Sequence, residues 1–343
     1  MSLALRSLLA RGPVRALLGT ASAAGRPARY SGAARALAFL ALASCAACSN
    51  SVDPTETQLP ERILFQSQPT TSSLGGDLYT VAPDGSDLLR LTTFGDAVVP
   101  TWSPEGTQIA FGRVGSNRNI FVMNADGANI RQVTTGPEEK SQPSWSPDGR
   151  SLIYVQYSGA GYTGELSLHT VAVDGGAATL LVACEICTHS SGDPCECQWP
   201  TYSRDGSSIA YVSWVPKDTD PGIRVPSVFL MDADGSGGTN LLPRGMWGHM
   251  PRWLPDGGGI LFSGYGGSGL AYDVYRMDAD GTDLQRLTTS GSIGSASLSK
   301  DGTRLVFDRM VPGGSRLLEV MGVDGTAPRQ ITDFSAAYPR WRP

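Results

Sequence analysis

The chain has 343 residues, of which 42 are Gly and 23 are Pro, with 17% charged and 41% hydrophobic residues. The apolar content is too high for a disordered chain, and the Gly and Pro residues follow no collagen period. Six of the 27 basic residues and none of the acidic ones lie in residues 1–44, so the rest of the chain carries 21 basic against 32 acidic residues. An acidic body argues against a nucleic-acid partner and against docking of the fold itself on anionic lipid. The composition instead suits many short strands joined by tight turns.

The amino terminus has the pattern of an export signal. Residues 36–43 form a short apolar run after Arg35, well below the roughly 20 residues that a bilayer span needs. The run ends in Leu42-Ala43-Ser44-Cys45, which resembles the bacterial lipobox. We therefore expect removal of residues 1–44 and lipid attachment at Cys45, with Cys48 as the alternative. Cleavage to a soluble periplasmic form and a mitochondrial transit peptide, which the Arg-rich, acid-free start also fits, stay open.

A short tether follows the lipid site. Residues 45–60 include Pro54 and Pro60 among Ser, Thr and Glu, a composition typical of a flexible linker. The residue after Cys45 is Ala46 rather than Asp, which indicates sorting to the outer membrane. The expected location is therefore the cell envelope, as an outer-membrane lipoprotein that faces the periplasm or the cell surface.

A repeat with two turn signatures fills residues 61–343. The first signature, Pro-x-Trp-Ser-Pro-Asp-Gly in its full form, starts at Pro100, Pro143, Pro200, Pro251, Ala296 and Pro339. The second is an Asp-Gly pair that begins at Asp84, Asp126, Asp174, Asp234, Asp280 and Asp324. Ser-Pro-Asp-Gly suits a type I turn, and Asp-Gly after an alternating run suits a β-hairpin. Each unit is therefore a four-stranded antiparallel meander, and such units arranged radially form a β-propeller.

The two ends of the repeat region complete each other. The first unit has three strands, Ile63–Gln66, Asp77–Val81 and Leu88–Thr92, whereas the chain ends with a spare strand around Trp341. Pairing them completes a sixth blade and removes two open sheet edges. The sequence thus predicts an all-β protein with six four-stranded blades, closed by its C-terminal strand. We expect this protein to be a monomer.

These repeats resemble the TolB-type propeller repeat, a WD-like unit with a Trp-Ser-Pro-Asp-Gly core found in bacterial envelope proteins. The resemblance covers residues 61–343 and implies a six-bladed propeller in the cell envelope. Proteins of this type carry an α/β domain before the propeller, whereas about a dozen residues separate Cys48 from Glu61 here. The resemblance therefore does not extend to that domain or to a Tol–Pal role.

Two insertions lengthen the repeat. Successive Trp positions are 43 residues apart in the shortest copies and 57 and 51 apart where Cys184–Cys197 and Val215–Ser227 intervene. In a four-stranded meander, the connections after the second and fourth strands share one face. Both insertions and the loops Gln156–Gly164 and Ser263–Ala271 are therefore expected on that face. Loops on a rigid scaffold tend to carry function, so we expect this face to bind the partner.

The first insertion contains Cys184, Cys187, Cys195 and Cys197, with His189 among them. In an oxidising compartment, four Cys residues within a long loop favour two disulfides. A Zn²⁺ site is the alternative, although Cys-x-Cys is poor spacing for tetrahedral ligands. Three pairings are possible, and spacing does not choose among them.

The residues just before each Pro-x-Trp are expected to line the mouth of the central channel. With Asp96, the candidate binding face comprises Lys140, Gln142, Gln198, Trp199, Trp247, His249 and Tyr338. Related propeller lyases that act on pectin fragments hold a metal with channel His residues, so His249 is a candidate ligand. A packed or solvated His249 is the simpler interpretation, and His169 falls on a third strand away from the channel. Trp199 and Trp247 fit either packing between blades or a platform on which a ligand stacks.

Catalytic signatures are missing from the sequence. It has no Gly-x-Ser-x-Gly elbow, His-Glu-x-x-His motif or P-loop. Residues 264–269 match Gly-x-Gly-x-x-Gly, but a strand rather than a helix is expected after them, so we interpret them as a loop. The acidic stretch Asp278–Asp283 lacks the remaining ligands of a calcium loop. We expect no catalytic residue, cofactor or metal.

The leading hypothesis is a non-enzymatic, lipid-anchored envelope propeller that binds an envelope protein or a peptidoglycan-associated partner. The first alternative is a carbohydrate-active enzyme, similar to oligogalacturonate lyases, that uses His249 and Lys140. The second is a sugar-binding sensor in which Trp199 and Trp247 stack on the ligand.

Overall fold

A computed structural model describes residues 59–68, 75–158, 165–184, 197–266 and 272–343. The predicted leader 1–44, nearly all of the tether 45–60, and the lipid site with both of its candidates, Cys45 and Cys48, lie outside the described residues. The leader, the tether and the lipid site therefore remain predictions.

Twenty-four strands form six antiparallel sheets of four strands each, and every sheet is one blade. Blade 1 contains β1 (Ile63–Ser67), β2 (Leu78–Val81), β3 (Leu89–Arg90) and, from the chain end, β24 (Ala336–Trp341). Blade 2 contains β4 (Ala97–Trp102), β5 (Gln108–Arg113), β6 (Asn119–Asn124) and β7 (Arg131–Gln132). Blade 3 contains β8 (Glu139–Trp145), β9 (Ser151–Tyr157), β10 (Leu166–Ala172) and β11 (Thr179–Ala183).

The remaining three blades follow the same order. Blade 4 contains β12 (Gln198–Tyr202), β13 (Ser208–Lys217), β14 (Asp220–Asp232) and β15 (Thr239–Asn240). Blade 5 contains β16 (Met246–Trp253), β17 (Gly259–Gly266), β18 (Asp273–Asp278) and β19 (Gln285–Arg286). Blade 6 contains β20 (Ile293–Leu298), β21 (Arg304–Met310), β22 (Arg316–Gly322) and β23 (Arg329–Gln330).

The predicted ring closure is confirmed. Strand β24 pairs with β1 in antiparallel register, with Ile63 opposite Trp341 and Ser67 opposite Ala336. At five of the six junctions the innermost strands of neighbouring blades pack together, and at the sixth β20 packs against β17 and β18 of blade 5, so β24, β4, β8, β12, β16 and β20 surround one axis. Buried side chains form a hydrophobic cluster at each junction; the cluster at the seam joins Ile63 and Trp341 to Leu318 of blade 6.

Two repeated side-chain contacts explain the repeat motif. Several outer strands are only two residues long. Beyond the end of each of these strands, a Thr hydroxyl takes the place of the backbone carbonyl and accepts a backbone N–H of the third strand at 2.9 Å. The pairs are Leu78–Thr92, Ile120–Thr134, Val274–Thr288 and Leu318–Thr332.

The Trp residues connect neighbouring blades. The indole N–H of Trp102, Trp145 and Trp253 donates to a backbone carbonyl of the preceding blade at 3.1–3.4 Å.

The propeller has two different faces. The Ser-Pro-Asp-Gly and Asp-Gly turns lie on one face, here called the turn face, and the connections after second and fourth strands lie on the opposite loop face. The chain enters on the turn face, where Glu61 pairs with Arg304 at 2.6 Å and the Arg62 carbonyl accepts the N–H of Arg342. Among the described residues no helix is long and apolar enough to cross a membrane.

Two expected loops prove to be partly strand. Val215–Ser227 extends the second and third strands of blade 4, whose ladder runs from Ser208–Asp232 to Lys217–Asp220. The backbone ladder continues through the insertion, so the insertion is a hairpin that projects from the loop face. The expected loop Ser263–Ala271 likewise begins as strand: Gly264 of β17 pairs with Asp273 of β18. Within this loop, residues 267–271 lie outside the described part.

Candidate functional site

The channel wall is built around a bulge in each innermost strand. The register shifts at the residue before Pro, or before Ala296 in blade 6. Five of these six residues have a left-handed backbone, with φ between 50° and 56°: Val99, Gln142, Trp199, Met250 and Tyr338. Such a conformation is uncommon for residues other than glycine. Because the left-handed conformation recurs at the same position in five blades, the fold imposes it. At these positions the side chains leave the regular alternation of the strand.

Trp199 and Tyr338 close the channel. They belong to blades 4 and 1, which are opposite one another in the ring, and their rings stack with centroids 5.7 Å apart. Two rings from opposite blades can meet only across the axis. We call this pair the channel plug. Burial raises the pKa of the Tyr338 hydroxyl, so Tyr338 stays neutral.

Side chains hold the strained backbone of the plug in place. The Trp199 N–H donates to Gln142 Oε1 at 2.6 Å, and Gln66 Oε1 accepts the N–H of Val99 at 3.0 Å in the same way. Gln142 is thus largely buried and acts as a backbone acceptor. Its role in binding remains a prediction, and its amide oxygen already accepts the Trp199 N–H.

Asp308, the buried partner of an ion pair with Arg316, performs the same task in blade 6. Asp308 is 1% exposed; it accepts the N–H of Ser295 at 2.9 Å, bonds the backbone of Tyr338, and pairs with Arg316 at 2.6 Å. Gly294 permits this packing because a Cβ there would lie 2.1 Å from Arg316 and 2.3 Å from Asp308. One carboxylate therefore connects blade 6 to the plug residue Tyr338.

His249 lies in β16 near this ion pair. Its ring meets that of Tyr272 edge-on, with centroids 4.5 Å apart. Burial and, to a smaller extent, the charge of Arg316 lower the pKa of His249 to about 4. His249 is therefore neutral at physiological pH. Among the described residues no group of three or more His, Cys, Asp or Glu side chains is arranged to hold a metal ion.

This lowered pKa makes a pH-dependent prediction. Because the folded protein binds the His249 proton less well than the unfolded chain does, the neutral imidazole stabilises the fold fully above pH 6.5, and this stability is lost as pH falls toward 4. The free energy of unfolding should fall between pH 7.5 and pH 4.5 in the native protein and in His249→Gln. We expect this fall to be about 2–3 kcal/mol smaller in His249→Gln than in the native protein. Urea unfolding of both proteins at the two pH values measures it, since carboxylates common to both cancel. Equal losses in the two proteins would contradict the prediction.

The other predicted channel residues are engaged within the fold. Lys140 is 3% exposed, and its Nζ donates to the Glu138 carbonyl at 2.7 Å and to the Glu138 carboxylate at 3.3 Å. Gln198 is half-buried at the start of β12, and Asp96 forms a bidentate pair with Arg113, both bonds 2.9 Å long. His169 lies on the third strand of blade 3 as expected and stacks on Tyr154.

Trp247 belongs to a different environment, on the loop face. A pocket of about 460 Å³ lies between the projecting β13–β14 hairpin and blade 5, and we call it the hairpin pocket. Its wall contains Trp247, whose ring contacts Tyr265 at 4.7 Å and Lys217 Nζ at 5.4 Å. An ion pair between Arg244 and Asp218, 3.9 Å apart, borders it. Trp199 and Trp247 thus have separate partners and show no ring contact with each other in the described structure.

The hairpin pocket combines an apolar floor with polar groups. Val225, Leu242 and Met246 are buried at its base, and Ser227 donates to Asn240 Oδ1 at 2.7 Å along its edge. Sequence reasoning placed Trp247 at the mouth but missed Lys217 and Tyr265. The segments Val215–Ser227 and Ser263–Ala271, both expected on this face, contain Lys217 and Tyr265, but nothing in the sequence singled out these two side chains.

A disulfide anchors the first insertion beside this face. Cys184, after β11, is bonded to Cys197, before β12, and both are buried. Cys187 and Cys195 lie outside the described residues, so their pairing stays a prediction. The bond joins the outer strand of blade 3 to the innermost strand of blade 4 and fixes both ends of the loop between them.

Comparison with known sequences identifies relatives of 27–28% identity. No established protein-family profile matches the chain. A tricorn protease homologue of Streptomyces coelicolor is 27% identical over 270 residues, 65% of this chain but 22% of that protein. The uncharacterized protein Atu1656 of Agrobacterium fabrum is 28% identical over 243 residues, covering 69% and 73% of the two chains. The chain therefore spans about a fifth of the first relative and most of the second.

Solved structures agree on the architecture. TolB from Acinetobacter baumannii superimposes with a TM-score of 0.68 at 19% identity, covering 83% of this chain and 67% of that one. An oligogalacturonate lyase in complex with manganese gives 0.52 at 15% identity, covering 75% and 70%. At these identities the likeness concerns the fold alone. The chain is a TolB-like six-bladed β-propeller.

Proposed function

We propose that the protein is a non-enzymatic cell-envelope lipoprotein whose propeller binds an envelope protein or a peptidoglycan-associated partner through the loop face. The observation that carries the proposal is the separation of the two faces. The chain enters at Glu61 on the turn face, so a flexible tether from Cys45 would attach at that face. The projecting hairpin and its pocket, on the opposite face, would then stay free for a partner.

The composition of the hairpin pocket supports a binding role. Trp, Tyr and Arg side chains around an apolar floor are the residue types that dominate binding energy in protein interfaces. Trp247, Tyr265 and Arg244 are of these types, and Ile223 near the tip of the hairpin is 48% exposed. The plugged channel, by contrast, offers a ligand only its two ends.

A comparative pull-down tests the binding face. Shortening the hairpin by joining Val215 to Val225 through Asn-Gly, and separately Trp247→Ala, should each deplete the proteins or muropeptides retained from envelope extracts. Arg329→Ala, an exposed change on the turn face, is the matched control and should retain them all. An unchanged bound set in both loop-face variants contradicts the proposal. Bound Mn²⁺ or Zn²⁺ that is lost in His249→Ala would instead favour the lyase alternative.

The anchor has a separate test. Labelled palmitate should be incorporated by the chain and by Cys48→Ser but not by Cys45→Ser. Incorporation by Cys45→Ser and not by Cys48→Ser would move the lipid to Cys48, and no incorporation by any of the three would contradict lipidation.

A further inference from the structure

Basic residues replace the usual residue types at the turn-face end of the innermost strands. Between Pro and Trp, four blades have Thr or Ser, whereas blades 5 and 1 have Arg252 and Arg340. At the next positions, Arg204 and Lys300 replace the turn Pro of blades 4 and 6, and Arg342 replaces the turn Ser of blade 1. No acidic residue occupies any of these three positions in any blade. Five residues thus differ from the uncharged residue at the same position of other blades, and all five are basic. Because other blades fold with uncharged residues at these positions, the fold itself does not require the positive charges.

These positions converge on one cavity. On the propeller axis, at the turn face, a cavity of about 480 Å³ is lined by residues from all six blades. We call it the turn-face funnel. Its aromatic wall consists of Trp102, Trp145, Tyr202, Trp253 and Trp341. The volume lies in the range of small-molecule sites.

The charged side chains in the funnel wall are all basic. Arg204, Lys300 and Arg342 line it, and no acidic side chain does. Arg342 donates to the Gly106 carbonyl at 2.6 and 2.8 Å, and Arg204 donates to the Pro255 carbonyl. Among the described residues these three cations therefore have no carboxylate partner.

The acidic residues of the same turns are occupied locally. Asp148 accepts from Ser146 at 2.6 Å and from the Arg150 N–H at 3.0 Å. Asp205 and Asp301 accept from the hydroxyl of the turn Ser in the same way, at 2.6 and 2.5 Å. These three carboxylates cap their own turns, and none of them forms an ion pair with a funnel cation in the described part of the chain.

Two further guanidinium groups lie deeper in the channel wall. Arg252 and Arg340 occupy the strand position that lines the funnel in the four other blades. Arg340 is 4% exposed; Nη1 donates to the Pro339 carbonyl at 2.8 Å, while Nε and Nη2 have no hydrogen-bond partner in the described structure. Arg252 Nε is also buried without a partner, and burial lowers the pKa of Arg252 to about 10. A buried charge without a counter-ion is costly, and a bound anion would compensate it.

We propose that the turn-face funnel binds a small oxyanion-bearing molecule, in which a phosphate or carboxylate group meets the guanidinium groups and the remainder packs against the aromatic wall. Arginine forks suit both oxyanions. The site lies on the opposite face from the proposed partner surface, so either proposal can fail without the other.

Calorimetric titration at low ionic strength tests the site with two probes, inorganic pyrophosphate and citrate. We expect one binding site for at least one probe, and the preferred probe identifies the oxyanion. The double variant Arg204→Pro/Lys300→Pro restores the turn residue of the other blades and should weaken binding at least tenfold. Arg150→Gln removes an exposed charge from the turn face outside the funnel and should leave the affinity unchanged.

Arg252→Thr separates binding from a structural role. It introduces Thr, which two other blades have at this position while two more have Ser, and it removes a desolvated charge, so the melting temperature should stay the same or rise while probe affinity falls at least tenfold. Three results would overturn the proposal: neither probe binds at up to about 10 mM, the funnel variants bind as tightly as Arg150→Gln, or Arg252→Thr melts earlier and binds normally.

Discussion

Removal of residues 335–343 is expected to abolish the cooperative unfolding transition or to lower the free energy of unfolding by about 5 kcal/mol or more, as much as many domains possess. The deletion removes β24, so β1 loses its inner neighbour and blade 1 is left with three strands. It also removes Ala336, Ala337 and Trp341, all buried. The exposed strand edge should promote association of open rings. Calorimetry and size-exclusion chromatography measure both effects.

Smaller changes at the same end of the chain provide the controls. Deletion of Pro343 alone, which is exposed, should have little effect. Trp341→Ala leaves the strand in place but empties a buried aromatic site, and should cost about 3–5 kcal/mol. If the nine-residue deletion melted as the full chain does and remained monodisperse, the C-terminal strand would not be what closes the ring.

The architecture was predictable because turn chemistry recurs. Ser-Pro-Asp-Gly and Asp-Gly encode their turns within four or two residues, and six copies in register leave one arrangement of strands. The spare strand at Trp341 identified the closure of the ring. The repeat region has an unpaired strand edge at each end, and pairing the two edges with each other removes both. None of this required knowledge of contacts between distant residues.

The interior of the channel was not predictable from the repeat. The bulge before each Pro gives Gln142 and Trp199 a left-handed backbone, and this reverses the simple alternation of inward and outward side chains. Contact between Trp199 and Tyr338 depends on which blades are opposite in the closed ring. Sequence reasoning placed both at the mouth, whereas together they block the channel.

Burial also changed the meaning of the polar candidates. Lys140 and His249 are polar residues beside a channel, which the sequence alone makes candidates for binding. In the structure the ammonium group of Lys140 is bonded to Glu138, and the His249 ring packs on Tyr272. The insertion Val215–Ser227 was recognised by length, but its strand conformation was not, because paired extended segments carry no turn signal of their own.

Asp308→Ala is expected to cost about 2–3 kcal/mol, because it leaves the buried N–H of Ser295 without its acceptor and takes the partner from Arg316, whose side chain is 26% exposed. The same carboxylate also holds the N–H of Ser295 and the backbone of Tyr338, so the plug should loosen as well. Fluorescence of Trp199, which stacks on Tyr338, should report the loosening, with Trp199→Phe identifying its share of the signal.

Glu319→Ala is the matched control for this change, because Glu319 and its partner Arg309 lie on the same two strands, β22 and β21, as Arg316 and Asp308. Arg309 and Arg316 are similarly exposed, at 32% and 26%, but the described hydrogen bonds of Glu319 come from Arg309 alone, so its loss leaves no backbone N–H unpaired and should cost about 1 kcal/mol or less. Urea unfolding of the two variants at pH 7.5 measures the difference. Equal costs would mean that Asp308 acts as an ordinary surface partner and does not connect blade 6 to the plug.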